Sequence, residues 1–319
     1  MFPAPHPNGF AAVINPVPDM AGGALVTEPA EGARVDAELI AALAAVTDGA
    51  PRVLTVEEGR ALPSGPLEPG HRSLQAGLRA WVERQTHHPL GYVEQLYTFA
   101  DRDRAGAGAR HISISYLGLT REARGPAAPG VAWQGWYRYF PWEDRRAEAP
   151  DLAPRLAAWV GRNAARRARA AITFGLDGER WNEELVLQRY ELLWEAGLVP
   201  EAAAAAPVPG APMAHDHRRI LATAIARLRV KIKYRPVVFE LMAPEFTLLQ
   251  LQRTVEALAG RLLHKQNFRR LVESQELVEE TGSAARGTGG RPAQLFRFRG
   301  AVRAERAVAG SKLPLARGR

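Results

Sequence analysis

Residues 246–299 constrain the fold of this chain more than any other stretch. Thr247 followed by Gln250 fits a capping box, in which the hydroxyl accepts an orphan helix N–H and the amide reaches back. Leu248, Leu251, Val255 and Leu258 recur at three- and four-residue steps, the spacing of one apolar helix face. Gly260 follows, where a left-handed stop is cheap only for glycine. A second helix is expected over about residues 264–275, with Phe268, Leu271 and Val272 inward. A strand is expected over 277–281, then a glycine-rich loop holding Arg286. The strand over 294–299 alternates Phe296 and Phe298 with Arg297 and Arg299, as a half-buried strand does. Helix, turn, helix and hairpin in that order predict a winged helix-turn-helix.

Lys265, Gln266, Asn267, Arg269 and Arg270 crowd the start of the second helix. Arginine pairs bidentately with guanine, and asparagine or glutamine with adenine. The N-terminal residues of a recognition helix are the ones that reach base edges. Asn267 and Arg270 are therefore expected to read bases, with Gln266 beside them. Lys265, Arg269 and the wing residues Arg286 and Arg291 are expected to meet phosphate. The competing reading is a solvated helix beside a loop. Charge separates the two: residues 215–299 hold 16 Lys/Arg against 8 Asp/Glu, residues 300–319 hold 5 against 1, and the rest of the chain is at −4 of a total +8. A basic C-terminal third on a mildly acidic front is the footprint of a DNA-binding module attached to something else.

The chain has 319 residues and no cysteine, which excludes disulfides and thiolate metal sites and fits the cytoplasm. No apolar run approaches the ~18 residues of a membrane span, and no export signal is expected. Residues 1–25 read as irregular and 301–319 as a basic, disordered tail. A helix is expected over 35–46 from Leu39, Ile40 and Leu43, then strands over 52–56, 93–99, 111–119 and 131–140. Further helices are expected over 73–85, 151–170, 181–196 and 215–233, and a Pro/Ala-rich linker over 199–214. The arginines of 162–169 form either a solvated face or an anion site. His215 and His217 make either a helix start or a weak chelate.

Residues 65–86 resemble a degraded Nudix box. The family pattern requires Gly, five residues, Glu, seven residues, then Arg-Glu-U-x-Glu-Glu-x-Gly, with U apolar. Gly65, Arg79, Trp81 and Glu83 keep it; His71, Ala80 and Arg84 stand at the other glutamate positions, and Thr86 at the glycine. Asp216-His217, Tyr234-Arg235-Pro236, Phe246-Thr247-Leu248, Asn267-Phe268-Arg269-Arg270 and 289–293 further resemble the Nudix-related transcriptional regulators of NAD metabolism. The segment 141–200 is similar to the alphaproteobacterial NadQ branch, which represses de novo NAD synthesis genes.

The resemblance implies an α/β Nudix-like domain, a mixed sheet with packed helices, over residues 26–198, and a winged helix domain over 215–300. It implies a cytoplasmic homodimeric repressor of NAD biosynthesis genes that binds palindromic double-stranded operator DNA and senses an adenine nucleotide: NAD, ADP-ribose or ATP. No cofactor, metal or membrane partner is expected. Arg79, Tyr97, Arg102 and Arg110 are the candidate effector contacts; Tyr97 is otherwise a strand core residue and the arginines surface residues. Nudix hydrolysis needs several carboxylates on a divalent metal, so catalysis is not expected. The alternative is an active Nudix-type pyrophosphatase on ADP-ribose or a related nucleotide.

Overall fold

A computed structural model describes residues 35–100, 110–122, 128–285 and 292–300. Its centre is strand β1, Val35–Thr47, where a helix is expected from the sequence. Leu39 to Ala45 are all buried, so the strand is apolar on both faces and a period of two is invisible. A short apolar run of this kind carries no periodicity that separates strand from helix. β1 pairs antiparallel with β2 (Ala50–Thr55) and β3 (Ser64–Pro66), and parallel with β5 (Arg110–Leu119). β4 (Tyr92–Phe99) and β6 (Ala132–Gly135) complete a mixed sheet of order β4-β5-β1-β2-β6, with β3 on β1.

The alternation of β1 distributes its side chains to two layers. Leu39, Ala41 and Leu43 pack with Leu78 and Val82 of helix α1, Leu74–Thr86. Ser73 caps that helix, its hydroxyl accepting the Ala76 N–H at 3.1 Å. Ile40, Ala42 and Ala44 join the cluster that holds Ile220, Leu221, Ala224, Ile225 and Leu228 of a long helix. The front of the molecule is thus an α/β/α sandwich.

The expected helix over 151–170 is two: α2 (Ala153–Val160) and α3 (Ala164–Phe174). Gly161 breaks it at φ 52°, and Asn163 caps the new start by accepting the Arg166 N–H. Helix α4 runs Val186–Glu195, later than expected, and the strand expected over 131–140 stops at Gly135. The segment 199–214, read as a linker, is packed: Val199, Val208 and Met213 are buried, and Val208 N–H donates to Leu198 O at 2.8 Å. Helix α5, His217–Tyr234, is the long helix under the sheet, so the C-terminal third is joined to the sandwich by packing as well as by chain. Beyond it lie α6 (Leu248–Ala259), α7 (Lys265–Ser274), β7 (Val278–Ala285) and β8 (Ala293–Phe298), the expected helix-helix-hairpin. No described helix is long and apolar enough to cross a membrane.

His217 opens α5 as a helix start, and no described group of three or more His, Cys, Asp or Glu side chains has the arrangement of a metal site. Its Nδ1 accepts the buried Leu62 N–H at 2.8 Å, a bond that the neutral imidazole makes. Burial pushes its pKa below the ordinary 6.5, with His215 reinforcing and Glu38, Glu57 and Asp216 opposing. The unfolded chain therefore takes up a proton that the fold refuses. Stability is full above about pH 6.5 and falls as pH drops through and below that value. Melting curves from about pH 7.5 down to 5.5 are expected to fall more steeply for the wild type than for His217→Gln. Parallel curves would exclude His217 as the cause.

Candidate nucleic-acid interface

The helix-turn-helix is built as the residues dictate. Thr247 and Gln250 form the full capping box, at 3.2 Å for the hydroxyl and 2.7 Å for the returning amide oxygen. Gly260 ends α6 at φ 70°. α6 is more deeply set than a one-face helix: Gln252, Thr254 and Glu256 are buried with its leucines. The buried carboxylate of Glu256 accepts the Gln252 amide and the Leu263 N–H, both at 2.9 Å, and so shapes the turn from within.

Phe268 and Val272 anchor α7 in the core. Lys265, Gln266, Asn267, Arg269 and Arg270 all project into solvent. Among the described residues, none of the cations Lys265, Arg269 and Arg270 has a carboxylate partner. That differs from the hairpin behind them. Arg297 pairs with Glu279 at 2.6 Å and Arg299 with Glu276 at 3.0 Å. Glu279 and Glu276 thus neutralise two cations of the hairpin stem, while among the described residues the three cations of α7 stay uncompensated. Phe298 stacks on Phe239 at 4.3 Å, and Phe246 bridges to Phe296, fixing the hairpin against the helices. Arg286 and Arg291 lie outside the described residues.

The other face of the turn meets a cluster of buried polar side chains. The last carbonyls of a helix have no partner within it. Here the Tyr137 hydroxyl donates to Ala257 O at 2.6 Å, the Arg229 Nε to Leu258 O at 2.9 Å, and the Arg145 N–H to Gly260 O at 2.7 Å. Arg229 sits in α5 within a run of apolar neighbours, Leu228 and Ile232 among them, and that interruption was the signal available in the sequence. Its Nη1 donates to Glu143 Oε2 at 2.5 Å, while Arg189 of α4 grips the same carboxylate through Nε and, at 3.0 Å, Nη2. All three side chains are fully buried. Burial alone would raise the Glu143 pKa, but the two guanidiniums override it and hold the carboxyl below the usual carboxylate range. The excess positive charge is solvated by carbonyls: Thr173 and Asn182 on Arg189, Glu183 and Leu258 on Arg229.

The degraded box does structural work. Trp81 donates to Pro66 O at 2.9 Å, Gln85 exchanges two bonds with Ser64, and a Cβ on Gly65 would lie 2.2 Å from the Trp81 ring. Arg84 stacks its guanidinium 3.8 Å over Trp81. His71 Nδ1 accepts the Glu68 N–H at 3.1 Å. These positions do not fit a divalent metal: one is an alanine, one an engaged imidazole and one a cation. Of the candidate effector contacts, Arg79 is tied to the carbonyls of Leu90 and Gly91. Tyr97 is 58% exposed on edge strand β4, edge-on to Phe99, so it is not a core residue. Arg102 and the side chain of Arg110 lie outside the described residues.

Residues 238–298 match the model of the NrtR DNA-binding winged helix domain. The chain is 43% identical over 86 residues to the ADPR responsive transcriptional repressor NtrR of Acinetobacter baylyi. That match spans 27% of this chain and 34% of the relative. The crystal structure of Shewanella oneidensis NrtR superposes with a TM-score of 0.53 at 21% identity, covering 86% of this chain and 97% of that one. NrtR complexed with a 27mer DNA gives 0.50, also at 21% identity, over 82% and 93%. A MutT/nudix family protein from Enterococcus faecalis gives 0.53 at 16%, over 86% and 90%. At these identities the superpositions establish a shared two-domain fold, a Nudix-like sandwich followed by a winged helix.

Proposed function

We propose that this chain, an NrtR-type winged helix on a Nudix-like sandwich, is a cytoplasmic, DNA-binding transcriptional repressor that responds to ADP-ribose. The observation that carries the reading is the exposed face of α7, where, among the described residues, Lys265, Arg269 and Arg270 have no carboxylate partner while Arg297 and Arg299 of the neighbouring hairpin are neutralised. Asn267 and Arg270 read bases in the major groove, Gln266 lies beside them, and Lys265 and Arg269 meet phosphate. Arg286 and Arg291 carry the wing. The protein acts as a homodimer, because a two-fold operator presents two half-sites to two identical helices. The repressed genes serve NAD biosynthesis.

The effector is an adenine nucleotide, and ADP-ribose is favoured over NAD or ATP because the relative's name states that response. Its site lies near the degraded box, with Arg79, Tyr97, Arg102 and Arg110 as contacts. Tyr97, exposed at the sheet edge, offers a ring for stacking. The test is selection of a preferred duplex from a randomised library, followed by affinity measurement with and without saturating ADP-ribose. Enrichment of a two-fold sequence whose affinity ADP-ribose changes is expected. No enrichment at all, with affinity set by salt alone, would mean a non-specific binder.

The box substitutions also bear on catalysis. With Ala80, Arg84 and an engaged His71 where carboxylates must gather, no divalent ion is held for attack on a pyrophosphate. No turnover of ADP-ribose or NAD is expected in Mg²⁺ or Mn²⁺ buffer. Hydrolysis that disappears on chelation and returns with Mn²⁺ would overturn this.

A further inference from the structure

We propose that Tyr137, Glu143 and Arg229 are positioning residues for DNA recognition, holding the turn of the helix-turn-helix so that the sandwich sets the pose of α7. The inference rests on the DNA-binding reading above and adds the route by which the front domain acts on it. Three bonds from outside residues 238–298 end on three of the last carbonyls before the turn: Ala257, Leu258 and Gly260. Those groups would otherwise be orphaned, and a cation such as Arg229 is favoured at the negative end of the helix dipole. Only three residues separate Gly260 from His264, the N-cap of α7. A displacement of that grip therefore carries the recognition helix with it.

The grip has no slack. A Cβ at Gly260 would stand 2.2 Å from Glu143 O, 2.7 Å from an Arg229 nitrogen and 2.9 Å from the Tyr137 hydroxyl. The turn's own shape is fixed separately by Glu256 and Gln252 within α6. What the outer bonds decide is its orientation against the sandwich. Both anchors on that side are continuous with the sheet. Arg229 belongs to α5, which lies across the sheet face, and Arg146, the neighbour of Arg145, donates to Asp144 and to Gly49 O in the β1–β2 turn at 2.8 Å. A shift of the sheet hairpin and a shift of α5 thus both reach α7 without passing through a mobile linker.

The mildest probe is Tyr137→Phe, which removes one hydroxyl and keeps the ring. The full chain is used throughout. Amide exchange over residues 260–268 is expected to quicken about three- to tenfold, the span of one lost hydrogen bond. The ratio of affinities for the selected duplex and for unrelated duplex at the same salt is expected to fall by about the same factor, because phosphate attraction survives a tilted helix and base readout does not. A merely structural role would lower the melting point and leave that ratio unchanged. Unaltered exchange in the turn overturns the proposal whatever the DNA result. So does quickened exchange with an unaltered affinity ratio. Arg270→Ala serves as the control: if it too leaves the ratio at the wild-type value, the DNA-binding reading is what fails, and exchange still decides the grip.

Discussion

Glu143→Ala is expected to cost about 3–5 kcal/mol of folding stability, a large share of the ~5–15 kcal/mol that holds an ordinary domain folded. The carboxylate lies between two fully buried guanidiniums and is the sole side-chain anion either one touches among the described residues. Removing it leaves two like charges facing each other with no water to screen them. Desolvation of an unpaired charge, rather than the lost bonds themselves, dominates the effect. Glu143→Gln keeps the shape and two polar atoms, and is expected to fall between wild type and alanine. Urea midpoints of the three proteins check this ordering. A loss below about 1 kcal/mol for alanine would mean that the arginines find other partners, and the buried network would not be holding the two domains together.

Arg270→Ala is expected to weaken binding to the selected duplex by about 1–3 kcal/mol, roughly five- to 150-fold, and to relax preference at one base pair per half-site. Arg270 lies on the exposed face of a helix whose opposite face is pinned by Phe268 and Val272. Among the described residues it has no ion pair to break before it meets DNA. Lys265→Ala, by contrast, is expected to weaken all duplexes alike and to lower the salt slope by about one. Repeating the library selection with each variant separates the two. Wild-type preference in Arg270→Ala would remove that residue from base readout, and the next candidate would be Asn267.

The C-terminal module was legible because its signals are local. A capping box, a glycine stop, a buried Phe268–Val272 pair and a two-residue alternation each depend on neighbours within a turn or a strand. The basic face of α7 was legible for the same reason, since side chains that stay in water need no partner to be identified. β1 was not legible: apolar on both faces, it lacks any period, and only its pairing with β2, β3 and β5 makes it a strand. Nor was the packing of residues 199–214, where alanine and proline give no pattern and burial comes from elements far away in sequence. The Glu143, Arg189 and Arg229 cluster is the clearest case. The partners are 46 and 86 residues apart, and the sequence carries no periodicity linking them. Local order and the identity of the basic surface were determined by the sequence alone. The tertiary structure decided which charges are buried together and what they hold, because only the folded chain brings those residues out of water to one point.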